Sequence, residues 1–86
     1  MMDEIRDRKF VPVTLRFDSE GKMRPIEIEI DEAHKYQIDR IKDVRRAACQ
    51  SAGGVGDRYT CLIRGQEAYL WFGDGRWWVA LKRRPA

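Results

Sequence analysis

Hydrophobic and polar positions alternate along most of this chain. Val11, Val13, Leu15 and Phe17 share one side of an extended segment, and Pro12, Thr14 and Arg16 share the other. A period of two marks a half-buried strand. Ile26, Ile28 and Ile30 alternate in the same way with Glu27, Glu29 and Asp31. Between them, Ser19-Glu20-Gly21-Lys22 reads as a turn, with Gly21 able to take positive φ. A loop over 19–22 pairs Leu15 with Ile26, Val13 with Ile28 and Val11 with Ile30. Every apolar residue then lies on one face, and a slip of one residue would destroy the match. Pro12 has no N–H for a ladder, so it belongs at an edge or near the strand start.

The stretch Arg58–Lys82 is the most aromatic part of the chain and holds all three tryptophans. It predicts a three-stranded antiparallel meander. Asp74-Gly75 suits a two-residue type I′ turn. That turn pairs Phe72 with Trp77, Leu70 with Val79 and Ala68 with Leu81. A second two-residue turn at Gly65-Gln66 pairs Ile63 with Ala68, Cys61 with Leu70 and Tyr59 with Phe72. The two registers agree on the faces. Tyr59, Cys61, Ile63, Ala68, Leu70, Phe72, Trp77, Val79 and Leu81 form the core side, over which the first hairpin can close. Arg58, Thr60, Leu62, Arg64, Tyr69, Trp71, Arg76, Trp78, Ala80 and Lys82 form the opposite side.

Residues 32–52 carry two patterns. Ile38, Ile41, Val44 (or Arg45) and Ala48 recur at helical spacing, and Arg45-Arg46-Ala47-Ala48 favours a helix by propensity. Lys35-Tyr36-Gln37-Ile38-Asp39 alternates like a strand. The expectation is a strand over 35–46, bulged around Arg40-Ile41 to switch faces, with a short helix near 39–50 as the alternative. Ala52-Gly53-Gly54-Val55-Gly56-Asp57 is a loop. Glycine loops cradle phosphate when a helix N-terminus follows. Here Arg58-Tyr59-Thr60-Cys61 follows and reads as strand, which favours a plain connection.

Composition bounds the picture further. A chain of 86 residues predicts one domain with little stability to spare. Its 36% charged and 43% hydrophobic content requires sharply two-faced strands. The net charge of +3 is uneven. Residues 1–34 carry nine acidic against six basic side chains, and residues 35–86 carry five against eleven. Such an asymmetry can steer an anionic partner to the basic half, or draw the two halves together across the fold. No apolar run has the length of a membrane span. Met1–Lys9 is charged and without an apolar core, which predicts no signal peptide and a frayed tail over 1–9. A cytoplasmic location is the expectation, with Cys49 and Cys61 as free thiols.

Candidate chemistry is concentrated on the side of the meander away from the core. Tyr69, Trp71 and Trp78 stand there among Arg58, Arg64, Arg76 and Lys82. Aromatic platforms in a basic field are what single-stranded nucleic acid requires, because bases stack on rings while phosphates meet the cations. The same composition arises without a ligand. Cross-strand pairs such as Trp71–Trp78 stabilise small sheets, and arginine stems cover indole rings. A protein partner using this face or a free sheet edge is the competing reading. Catalytic signals are absent from the sequence. The single histidine, His34, and two distant cysteines make no metal-binding pattern. No Walker motif or nucleophile elbow occurs. No catalytic residue, metal or cofactor is therefore expected.

The spacing Tyr36-x-Ile38, Val44-x-Arg46, Arg58-Tyr59, Tyr69-Leu70 and Arg76-Trp77-Trp78-Val79 resembles small uncharacterised bacterial proteins, some encoded near Y-family translesion DNA polymerases. The resemblance covers roughly residues 34–82. It implies a small β-rich accessory protein linked to DNA repair or mobile elements, and it carries no catalytic residues.

The sequence as a whole predicts one β-rich domain over 10–84. Its fold class is mainly β: a single antiparallel sheet of five to six strands curled toward an open barrel, with at most one short helix. The expected function is a non-enzymatic binding module, acting as a monomer or weak homo-oligomer. Its partner is nucleic acid or another protein.

Overall fold

A computed structural model describes residues 6–50 and 52–82. Eight strands account for most of them: β1 (Arg6–Phe10), β2 (Val13–Phe17), β3 (Met23–Asp31), β4 (His34–Gln37), β5 (Arg40–Ala48), β6 (Val55–Ile63), β7 (Gln66–Gly73) and β8 (Arg76–Lys82). The fold is mainly β, as the alternation implies. The strands divide between two antiparallel sheets where a single sheet was expected, and neither closes into a barrel. One sheet runs β1-β8-β7-β6-β5 and the other β2-β3-β4.

Two dipeptides hand the chain from sheet to sheet. Val11 donates its N–H to Trp77 O of the large sheet (3.0 Å), and the next residue, Pro12, accepts at its carbonyl from Glu29 of the small one (3.0 Å). Ile38 donates to Ile26 O of the small sheet (2.9 Å), and Asp39 donates to Leu62 O of the large one (2.8 Å). Each corner therefore keeps these main-chain groups hydrogen-bonded while the chain changes layers. Residues 34–48 are extended, and no helix occurs among the described residues. The bend lies at Ile38-Asp39, and the bulge falls between Ile41 and Asp43.

The meander forms with one change of register. Asp74 and Gly75 have φ of 52° and 75°, so their turn has both central residues at positive φ, as type I′ requires. Phe72 pairs with Trp77 as predicted. The other turn is Arg64-Gly65 and not Gly65-Gln66, so Cys61 pairs with Ala68 and Tyr59 with Leu70. Arg64 takes φ of 52° here, a conformation that costs a non-glycine residue about 1–2 kcal/mol. Its N–H donates to Asp39 Oδ2 (3.0 Å), which holds the turn in place. A one-residue shift of a turn moves the pairing by two positions, so the faces survive.

The first hairpin also departs from its expected register. Val13 pairs with Ile28, but a bulge pairs Leu15 with Pro25. Residues 6–9 lie in β1, antiparallel to β8, with Phe10 opposite Trp78, where a frayed tail was expected. Residues 1–5 and 83–84 of the sequence reading lie outside the described residues.

The main core sits between the sheets. Tyr59, Cys61, Leu70, Trp77 and Val79 meet Val11 and Ile28, with Val13, Leu15, Met23 and Ile30 packed around them. A second, smaller core lies on the opposite face of the large sheet: Trp71, Trp78 and Cys49, with Ala47, Ala52 and Ala80 against them.

Candidate functional site

The outer face of the large sheet carries a cross-strand row. Arg45 lies opposite Arg58, Arg58 opposite Trp71, Trp71 opposite Trp78, and Trp78 opposite Phe10. Period-two alternation brings Arg58, Trp71 and Trp78 to one face, as the sequence implies, and β5 and β1 add Arg45 and Phe10 to it. Trp71 and Trp78 are nonetheless shielded, at 4% and 2% exposure. The Trp71 ring stacks on Trp78, and the Phe10 ring meets Trp78 edge-on at 6.1 Å between centroids. The Arg8 guanidinium lies 5.3 Å from the Trp78 ring centre. The rest of the cover comes from the β5–β6 loop, folded by bonds from Cys49 N–H to Gly54 O (2.8 Å) and from Gly53 N–H to Cys49 O (2.7 Å). Gly54, Gly56 and Gly73 bring bare backbone to within a methyl group of the Trp78 ring. Gly54 of the loop, Gly56 of β6 and Gly73 of β7 therefore form an indole slot; the loop expected over 52–57 ends at Gly54, and strand β6 follows it, not a helix.

The seven predicted site residues do not make one patch. Arg58 stays with the face, its guanidinium 4.6 Å from the ring centre of Tyr69, which is 50% exposed. The Arg58 Nε is buried without a hydrogen-bond partner. Arg76 turns to Phe10, 3.4 Å from its ring centre. Arg64 leaves the face for the small sheet, where its guanidinium stands 5.4 Å from the Tyr36 ring centre. Lys82 closes β8 opposite Arg6.

A cleft of about 690 Å³ opens between β7 and β8. Pairing of these strands ends at Trp71↔Trp78; beyond it β7 pairs with β6 alone and β8 with β1 alone. The cleft passes through the sheet. Tyr69, Trp71 and Ala80 line it from the outer face, while Ala68, Val79 and Leu81 line it from the core face. Ile28, Ile30 and Tyr36 of the small sheet form its floor. Glu67 stands at its rim and accepts a hydrogen bond from Lys42 Nζ at 2.6 Å. The sequence places Ile28 and Ile30 on an apolar face but assigns none of the floor residues to a site, because alternation says nothing about whether two strands stay paired.

Groups capable of chemistry are held in structural roles. His34 Nδ1 lies 2.7 Å from Asp31 Oδ1, clasping the β3–β4 turn, and this hydrogen bond holds the Asp31 carboxyl below its ordinary value. Burial pushes the Cys61 thiol up to about 11 and the Tyr59 hydroxyl upward as well. Both cysteines are free and buried. No cluster of three potential metal ligands occurs among the described residues. No helix of the described residues is long and apolar enough to cross a membrane. Set against known proteins, the chain matches no family model, and no curated protein or solved structure is significantly similar to it.

Proposed function

We propose that this chain is a non-enzymatic, cytoplasmic binding module that holds a segment of a protein partner in the β7–β8 cleft. The observation that carries the reading is the end of the β7–β8 ladder at Trp71↔Trp78, with an apolar-lined cleft beyond it. Its volume is within the usual range of ligand sites, roughly 300–1,000 Å³. Exposed Ala68 and Leu81 stand on its two sides. Selection from a displayed library of linear peptides tests the reading, with Ala68→Arg as the blocked control. Enrichment of peptides that bind the natural chain and not the variant supports it. No enrichment, or enrichment indifferent to Ala68→Arg, removes it.

A second reading, nucleic acid on the outer face, is favoured by a different observation. Two exposed rings there carry guanidinium groups, Tyr69 with Arg58 and Phe10 with Arg8 and Arg76. Trp71 and Trp78 offer no open ring for stacking. The anisotropy of a labelled single-stranded oligonucleotide, titrated at two salt concentrations, decides. Binding that weakens steeply with salt supports this reading, and no binding at low salt ends it.

A further inference from the structure

We infer that the cleft takes its ligand as one extended strand, laid along β7 from Gln66 to Tyr69, with alternate side chains apolar and an acidic residue beside Tyr69. This rests on reading the cleft as a protein-segment site.

The main chain supplies the first argument. Leu62 gives its carbonyl to Asp39, away from β7. Leu62 and its partner Glu67 are thus a pair without mutual hydrogen bonds, and Glu67 directs its own N–H and C=O away from β6. Period two extends this to Tyr69 and Trp71. Trp71 meets β8, but β8 pairs with neither Glu67 nor Tyr69 among the described residues. Two residues of a central strand therefore present donors and acceptors to the cleft, and an added strand satisfies them at the required spacing.

Side-chain chemistry supplies the second. A strand in the cleft points alternate residues at the Ile28 and Ile30 floor, which accepts apolar groups. The intervening residues emerge beside Tyr69 and the Arg58 guanidinium. Arg58 makes no ion pair among the described residues, so a carboxylate there meets an unneutralised charge. The occupant is a linear segment, because a cleft bounded by strands on both sides does not admit the edge of a folded sheet. The outer strands of a second copy also carry charges, Lys42, Arg45 and Arg46 on β5 among them, which oppose edge pairing.

The probe is a capped synthetic heptapeptide alternating isoleucine and threonine, with one threonine replaced by aspartate. A peptide of the same composition in helical spacing is the control. Amide hydrogen exchange by NMR is expected to slow at least tenfold at Glu67 and Tyr69 with the alternating peptide and not with the control. Replacing its aspartate by asparagine weakens binding severalfold, and Arg58→Gln abolishes that difference. Cleft signals at Ala68 and Leu81 that shift without protection of the Glu67 and Tyr69 amides overturn the inference and leave the cleft reading standing. Equal binding of the control peptide does the same. No shift at Ala68 or Leu81 with either peptide overturns both. Shifts that follow protein concentration without peptide show self-association and overturn the inference.

Discussion

Trp71 and Trp78 face each other across the last pair that β7 and β8 share, their rings 10° from parallel and 6.0 Å apart between centroids. On one side of this pair the hairpin is a tight ladder, and on the other the strands part. The indole pair thus ends the ladder, and Trp71 of the pair walls the cleft. Because Trp71, Trp77 and Trp78 are all buried, acrylamide is expected to quench the folded protein's fluorescence weakly and the unfolded chain's strongly. Strong quenching of the folded protein would show that the outer face is open.

Trp78→Phe leaves the glycine slot partly empty. The expected loss is about 1–3 kcal/mol of unfolding free energy, measured by urea denaturation.

Gly56→Ala tests the slot from the other side. A Cβ at Gly56 collides with the Phe72 carbonyl and presses on the Trp78 ring, and backbone on a paired strand cannot step aside. The expected cost is about 2–3 kcal/mol. A midpoint unchanged from the natural chain would mean that β6 does not pack this closely on Phe72 and Trp78.

Arg64→Asn addresses the turn that the sequence misplaces. Asparagine tolerates positive φ, and Asn-Gly is the preferred type I′ pair. The gain is expected at about 0.5–1 kcal/mol, net of the lost contact with Tyr36. A loss of stability would show that the guanidinium contact outweighs the backbone strain.

Cys61 makes stability depend on alkaline pH. Burial raises its thiol from 9.0 to about 11 in the folded protein. Between those values the unfolded chain releases a proton that the folded chain keeps, so this contribution is intact below pH 9.0 and is lost as pH rises toward 11. Cys61→Ala is expected to flatten the fall over that window, in urea titrations at stepped pH. Equal slopes in both proteins would exclude the buried thiol as the cause.

Much of this architecture is legible in the chain, for identifiable reasons. Asp74-Gly75 declares its own turn because the two residue types and the required φ values coincide. Gly65 alone is compatible with two turns, and the choice is made by Asp39, distant in sequence, which bonds the Arg64 amide. The faces of Trp71, Trp77 and Trp78 follow from period two and are correct. Whether a face is covered does not follow, because the cover of Trp78 comes from Arg8, Phe10 and three glycines that converge only in the folded state. The cleft is illegible for a related reason. Leu70 and Val79 have the composition of a continuing ladder, yet the pairing stops at Trp71↔Trp78.

The pairing of β1 with β8 joins Arg6 to Lys82, the first and last of the described residues. Closing so long a loop costs entropy before any contact repays it, and folds dominated by distant pairings form slowly. The local hairpins at 64–65 and 74–75 can form early, whereas β1 must wait for β8 to exist. The roof of the second core is thus the last part to arrive in refolding, and Trp78 should report a late kinetic phase of its own.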